Sequence, residues 1–395
     1  MRILFVADGR SPISLNWLHY WLEHGHQVYL ASTFACTPDL PLAGLRNVSV
    51  AFSQAKAAGR PASVKKGRLW GARSLGLRTV IRQLLGPLTI ARAAPALRRF
   101  VEETKPDLVH ALRIPYEGML AAEALAAARV PLLISVWGND FTLHAPASPL
   151  MRHYTNLALS VADALHADCQ RDIRLARAWG FAPHKPTLVT PGNGGIRADL
   201  FYPPAAPQTE PLVVNPRGFR AYVRNDTFFK AIPLVLAQRP DARFVCAAMA
   251  AEPQAQKWTR QLGIESAVEL LAPLPHPQMA DLFRRASLVV SPAIHDGTPN
   301  SLLEALACGC FPIAGDLESI REWITPEVNG LLVDPGDPAA LAAAILRGLN
   351  DPLWRQRAAQ ANAKIIAERA EYNANMQKAL QFYEAITRAQ DSLAA

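Results

Sequence analysis

Between Ser291 and Gly315 the chain reads SPAIHDGTPNSLLEALACGCFPIAG, with two carboxylates eight residues apart at Asp296 and Glu304. An apolar run, Leu288 to Val290, leads into this stretch and reads as a buried strand. In a parallel sheet the loop at a strand's carboxyl end is where ligand-binding groups gather. Thr298 followed by Pro299 predicts a helix start, a capping oxygen and then proline at the first helical position. Gly309 predicts its end. Free amides at such a start suit a phosphate, in reach of Gly297, Thr298, Asn300 and Ser301. Glu304, about one turn further in, would repel phosphate but accept two hydrogen bonds from a vicinal diol such as a ribose. A plainer account fits the same residues: Ser301 and Glu304 as a capping box, and Asp296-Gly297 as a turn.

The elements that must position these groups are legible from hydrophobic periodicity. ILFVA, QVYLAS, NVSVAF, DLVHAL, PLLISVW, DALHAD and TLVTPGN read as strands in the first half. LVVNP, ARFVCAAM, VELLAPL, SLVVSPA, CFPIAG and GLLVDP do so in the second. Amphipathic segments of helical spacing lie between many of them, which predicts an α/β chain with two doubly wound parallel sheets facing across a cleft. The prolines of FYPPAAPQTEP mark a linker. The expected organisation is an N-terminal domain over 1–203, a C-terminal domain over 204–373, and a terminal helix over 374–395 that packs back on the first domain. A length of 395 residues suits two domains.

Charge is uneven. Residues 1–200 hold 23 Lys and Arg against 13 Asp and Glu, whereas the remainder holds 18 against 20. Within the segment 40–101 there are twelve cations and no acid, interleaved with Trp70 and aliphatic residues. That mixture points to an anionic membrane surface met by residues 55–100, or to a solvated insertion. No apolar stretch is long enough to span a bilayer, and the N-terminus lacks the zones of a signal peptide. Five cysteines without CxxC spacing read as reduced, buried thiols. The expected location is cytoplasmic, with peripheral association at the inner membrane face.

The stretch 291–315, with ESIREWI and NGLLVDPGDPAALAAAI after it, resembles the retaining GT-B glycosyltransferases of family 4. KPDLVHA, SVWGNDF, HADCQRDIRLARAWG and TPGNGGIRADLFYPP extend the resemblance over nearly the whole chain. The family signature is Glu-x7-Glu, and here it is Asp296-x7-Glu304. The resemblance implies two Rossmann-like domains, a nucleotide-diphosphate sugar as co-substrate, no cofactor and no metal. It further implies hexosyl transfer to a glycan, lipid-linked or small-molecule acceptor in envelope or polysaccharide synthesis. Glu304 would hold ribose hydroxyls and Asp296 the donor sugar. Arg217 matches the family's diphosphate-binding Arg. The family Lys-Gly is missing, and Arg224 is the nearest cation by spacing, ahead of Arg220 and Lys230. Gly9 falls in the family's first loop and reads either as a close backbone approach or as a turn. Leu112 replaces a family histidine, which leaves His110 as a site or core residue and brings Arg113 forward as a cation for donor or acceptor oxygens. Asn139 and Asp140 follow another strand end, where Asp140 reads as an acceptor-side base or a helix cap.

Other classes fit less of the chain. A nicotinamide enzyme needs GxGxxG between strand and helix, and the only glycine cluster, PGNGGI, leads into RADLFYPP. A nucleic-acid binder would show aromatic platforms or a groove-reading motif. Neither an Asp-x-Asp pair nor a His/Cys ligand spacing argues for a metal. A catalytically altered relative with a binding or structural role remains the alternative, since three family positions differ.

Overall fold

The short apolar runs pair side by side and all in one direction. In the computed structural model, which describes residues 1–53 and 80–394, the chain divides into two compact units. The first comprises Met1–Gly194 with Met376–Ala395, and the second Gly195–Asn375. The division falls at Gly194–Gly195, ahead of the Pro203–Pro204 pair. Residues 55–79 of the basic segment lie outside the described residues.

The first unit is built on β1 (Arg2–Ala7), β2 (Gln27–Ser32), β3 (Gly44–Asn47), β4 (Leu108–Ala111), β5 (Leu132–Val136), β6 (Ala164–Ala167) and β7 (Thr187–Val189). Their order in the sheet is β3-β2-β1-β4-β5-β6-β7, and every pairing is parallel. Buried on both faces, the strands read as continuous apolar runs rather than alternating ones. Leu4 and Val6 face the helices Ile90–Thr104 and Met119–Leu125 in one core. Ile3 and Phe5 are equally buried, and by alternation they occupy the opposite face. NVSVAF was expected to be a strand, but β3 ends at Asn47 where that run begins. Ala51 and Phe52 then take positive φ values of 50° and 60°, which an extended strand cannot hold.

The second unit contains β8 (Leu212–Asn215), β9 (Arg243–Cys246), β10 (Val268–Leu270), β11 (Leu288–Ser291), β12 (Phe311–Gly315) and β13 (Leu331–Val333). Their parallel order is β10-β9-β8-β11-β12-β13. One core packs the helices His276–Arg285 and Asn300–Ala307 on one face, and a second packs Asn225–Leu236 and Pro338–Asn350 on the other. In both sheets the strand order reverses beside the first strand of the unit, at β1/β4 and at β8/β11. Loops leaving the two strands of such a pair diverge, and a crevice opens between them.

The terminal helix Tyr372–Ala394 starts in the second unit and belongs to the first from Met376 onward. Its Tyr383 is fully buried, stacked on Trp21 with ring centroids 4.2 Å apart. The Tyr383 hydroxyl lies 2.5 Å from His110 Nδ1, while His110 Nε2 lies 2.8 Å from Ser135 Oγ. Ser135 Oγ in turn sits 2.9 Å from His166 Nδ1, and His166 Nε2 meets Thr190 Oγ1 at 2.9 Å. A closed polar chain of this kind satisfies every buried ring nitrogen. Burial lowers His166 to about 4 and His110 well below its usual value, so both imidazoles are neutral.

Unfolded histidines titrate near 6.5, so the unfolded chain binds more protons between that value and about 4. Stability from these two groups is therefore complete above pH ~6.5 and is lost as pH falls toward 4. Urea unfolding followed by tryptophan fluorescence should show a lower midpoint at pH ~5 than at pH ~7.5. Tyr383→Phe should lower the midpoint at both, through a loss of about 1–3 kcal/mol of unfolding free energy for a buried ring nitrogen left unpaired. Equal midpoints across that range would contradict the neutral histidine chain.

Candidate functional site

At the β8/β11 reversal, two loops are laced together by their backbones. The Arg224 amide donates to the Pro292 carbonyl at 2.9 Å, and the Ile294 amide donates to the Tyr222 carbonyl at 2.9 Å. The loop after β8 is held in shape by two buried amides. Asn215 Oδ1 accepts from the Arg217 amide at 3.1 Å, Asn215 Nδ2 donates to Asn225 Oδ1 at 3.1 Å, and Asn225 Nδ2 donates to the Gly218 carbonyl at 3.1 Å. Gly218 has φ +65°, a left-handed turn open to glycine at little cost. This clasp aims Arg217 toward the other loop, where its Nη2 donates to Asp296 Oδ2 at 2.5 Å. Its Nη1 reaches Ser301 Oγ at 3.5 Å, and its buried Nε has no acceptor. Arg217 and Asp296 side chains are 8% and 13% exposed.

The helix Asn300–Ala307 begins one residue later than its sequence suggests. Pro299 occupies the cap position with φ −69° and ψ 115°, and no side chain caps the helix. Thr298 Oγ1 instead accepts from Trp323 Nε1 at 3.0 Å, and the Asp296 carbonyl accepts from Ser319 Oγ at 2.8 Å. Trp323 and Ser319 thus brace the loop from behind. The capping box does not form: among the described residues the Glu304 carboxyl has no hydrogen-bond partner. It is 8% exposed, and burial pushes its pKa up to about 7. Asn300 Oδ1 is likewise buried without a partner. The structure therefore brings together Arg217, Asp296, Gly297, Thr298, Asn300, Ser301 and Glu304 along one loop and helix start.

Arg224 stands apart from that group. Its guanidinium is engaged by Asp226, Nε to Oδ1 at 2.8 Å and Nη2 to Oδ2 at 2.9 Å. Lys230 lies 3.9 Å from the same carboxylate, and Arg220 donates to Tyr222 Oη at 2.8 Å; both cations are exposed.

In the first unit the expected site residues separate. His110 is fully buried with both ring nitrogens committed, so it is a core residue rather than one open to a substrate. Asp140 is no free base. Its Oδ1 accepts from Arg113 Nη2 at 3.0 Å, and its Oδ2 accepts from the amides of Ile114 and Trp137 at 3.1 and 3.2 Å. Burial raises the Asp140 pKa, while Arg113 opposes the rise. The carboxylate ties the loop after β4 to the one after β5, with Asn139 half-buried beside it. Gly9 is required by packing: a Cβ there would lie 2.5 Å from Cys36 Sγ. Leu112 is buried where the family carries a histidine. One trio of potential metal ligands occurs among the described residues, Asp168, Cys169 and Asp172, and Arg171 already donates to Asp172 Oδ1 at 2.7 Å. The reading of the sequence missed Asn215, Asn225, Ser319 and Trp323. Only a strand-end Asn paired with a helix-start Asn ten residues on hinted at the first two.

Comparison with known proteins agrees with this geometry. Residues 13–192 match the family model described as a glycosyl transferase 4-like domain, and residues 217–351 match the one described as glycosyl transferases group 1. A D-inositol 3-phosphate glycosyltransferase of Thermobispora bispora is 28% identical over 251 residues, 58% of this chain and 58% of that protein. A D-inositol 3-phosphate glycosyltransferase 1 of Catenulispora acidiphila is 28% identical over 273 residues, 62% of this chain and 64% of that one. The chain thus spans less than two thirds of the length of these relatives. In fold it is similar to a sucrose-phosphate synthase from Thermosynechococcus elongatus, with TM-score 0.74, 18% identity, and coverage of 98% of this chain and 100% of the other. It is also similar to Anabaena HepE in complex with UDP-glucose, with TM-score 0.69, 19% identity and the same coverage. With a family model on each unit and a GT-B fold throughout, the chain belongs to the group 1, family 4 type glycosyltransferases.

Proposed function

We propose that this chain is a retaining, metal-independent glycosyltransferase that moves a sugar from a nucleotide-diphosphate sugar to a glycan, lipid-linked or small-molecule acceptor. The observation that carries the reading is Glu304, a buried carboxyl without a partner among the described residues, on the uncapped helix whose first turn Arg217 reaches at Ser301. A desolvated acceptor is costly unless a ligand completes it, and the two adjacent hydroxyls of a ribose do so. Arg217 exchanges Asp296 for the diphosphate, to which a guanidinium fork is well matched. Asp296, released, then accepts from donor-sugar hydroxyls. The first amides of Asn300–Ala307 add positive potential where charge grows on the leaving diphosphate. Arginine and helix start together supply the charge that a metal would otherwise bring. Attack from the face the diphosphate leaves, with a phosphate oxygen taking the acceptor proton, retains configuration and needs no protein nucleophile. The names of the relatives and of the solved neighbour add inositol phosphate to the acceptors worth testing, and UDP-glucose to the donors. Measured turnover separates this from the alternative of a catalytically altered relative with a binding role.

Part of the basic segment supports a further proposal, peripheral binding to an anionic membrane. Val80, Ile81, Leu84, Leu85 and Leu88 are 42–59% exposed, and Arg92, Arg98 and Arg99 are exposed nearby. Each cation near such a surface is worth about 1 kcal/mol. No helix among the described residues is long and apolar enough to cross a membrane. Co-sedimentation with phosphatidylglycerol vesicles should exceed that with phosphatidylcholine and fall at about 0.5 M salt. Background sedimentation with both would remove the proposal.

Glu304→Ala should abolish most sugar transfer while the protein stays folded by circular dichroism. Unchanged turnover of the donor would count heavily against the assignment. Arg217→Ala should weaken donor binding and slow turnover together, and a wild-type thermal response to nucleotide diphosphate would contradict its role. Because only the ionised Glu304 carboxylate accepts from both ribose hydroxyls at once, UDP-glucose affinity should rise with pH through about 7. The gain between pH 6 and 8 should be roughly tenfold, read by calorimetry, and Glu304→Gln should flatten it. The free protein behaves oppositely: its raised carboxyl pKa favours folding at low pH and is a burden above 7. Glu304→Gln should therefore raise the melting temperature at pH ~8, where it has lost donor binding. A lower melting temperature there would assign Glu304 to the framework.

A further inference from the structure

The other strand-order reversal, β1 against β4, opens a cavity of ≈ 370 Å³ formed wholly by the first unit. Arg10, Arg82, Arg113, Tyr116, Glu117 and His144 line it. Glu117 is 4% exposed; its Oε1 accepts from Thr33 Oγ1 at 2.7 Å, and its buried Oε2 has no partner. Arg82 enters no ion pair among the described residues, and its Nε is buried without an acceptor. Arg10 and Arg113, in contrast, are paired with Asp8 and Asp140. Among the described residues, the cavity lining therefore includes one cation outside any ion pair and one buried carboxylate oxygen without a partner.

The wall is held firmly. Arg82 lies over the Tyr116 ring with its guanidinium carbon 4.5 Å from the centroid, and 5.5 Å from that of Phe34. Tyr116 Oη donates to the Arg82 carbonyl at 2.8 Å, and Ser148 Oγ donates to the Gln83 carbonyl at 2.8 Å. Tyr116 itself takes φ 72° and ψ −50°, a conformation costing of order 1–3 kcal/mol in a side-chain-bearing residue. That strained residue lies between Arg113 and Glu117 in the chain, in the loop after β4. Burial, with Arg113 and Arg82 adding to it, lowers His144 to about 3, so it offers a neutral imidazole rather than a third charge. Burial also raises the Glu117 pKa.

We propose that this cavity binds a small polyhydroxylated molecule bearing a compact oxyanion, with Arg82 gripping the oxyanion and Glu117 Oε2 accepting from a hydroxyl beside it. A guanidinium takes a phosphate monoester or a carboxylate through the same fork, and a lone buried acceptor selects a ligand with a hydroxyl donor at fixed distance. That this molecule is the sugar acceptor rests on the transfer reaction proposed above; its binding does not.

Calorimetry on the full chain, with no nucleotide present, tests the site. Probes are glucose 6-phosphate, glycerol 3-phosphate and inositol monophosphate, with glucuronate for the carboxylate, inorganic phosphate, and neutral glucose and inositol. At least one anionic polyol should bind roughly tenfold or more tightly than its neutral parent. Preference for a phosphorylated polyol identifies a phosphate monoester, and preference for glucuronate a carboxylate. Arg82→Ala should remove that preference and Arg82→Lys restore part of it. Glu117→Gln should weaken the anionic polyol while leaving inorganic phosphate unchanged, a split that a merely structural acid would not give. Equal binding of anionic and neutral probes, no binding of any, or wild-type behaviour of both Arg82→Ala and Glu117→Gln overturns the proposal. UDP-glucose binding serves as the separate readout. If it fails while the anionic polyol binds as described, the transfer reading falls and this site stands.

Discussion

A parallel sheet whose strand order reverses cannot close its loops over the point of reversal, because the chains leaving two neighbouring strands run to opposite faces. Each unit of this protein has one such point, and each places its chemically expressive side chains there. Between β8 and β11 the gap is occupied by Arg217 and Asp296, each the other's counter-ion. Between β1 and β4 it is occupied by Arg82, Arg113 and Glu117. Elsewhere in the sheets, Leu, Val, Ile and Phe fill most of both faces.

Four buried carboxylates show how differently the fold treats one functional group. Asp140 receives two backbone amides and a guanidinium, and it works as a tie between loops. Asp296 is paired with Arg217, an arrangement that a stronger anion can break. Among the described residues, the Glu304 carboxyl and the buried Oε2 of Glu117 have no hydrogen-bond partner. Removing a carboxyl from water without compensation costs several kcal/mol in principle, and a folded chain keeps such a group when a ligand supplies the missing partners. Stability and recognition are thus set against each other at the same atoms.

Periodicity in the sequence is enough to read the two parallel sheets, since strands buried on both faces are short unbroken apolar runs. The Asp296–Glu304 spacing was equally plain, and so, through the family resemblance, was Arg217; Arg217 and Asp296 each lie within a few residues of a strand end. What local sequence could not carry was closure at long range. His110 reads equally as a site or a core histidine until Tyr383, 273 residues later, is laid across it. Asp140 reads as a base or a helix cap until the amides of Ile114 and Trp137 converge on it. Pro299 takes the cap position that Thr298 was expected to hold, because Trp323 claims the threonine oxygen. Arg82 was one cation among many in a basic stretch, and only the packing of Tyr116 and Phe34 distinguishes it.

The first unit is discontinuous along the chain, and biosynthesis meets that fact in order. Residues 1–194 leave the ribosome with the Trp21 face uncovered and the His110 ring nitrogen unanswered. The whole of 195–375 must then be made before the segment that completes them exists. During translation the nascent N-terminal half is therefore an open core awaiting its last piece, and the second unit is free to finish folding first. A chain stalled or clipped before Met376 would leave a soluble-looking C-terminal half joined to a partner that chaperones and proteases recognise as incomplete.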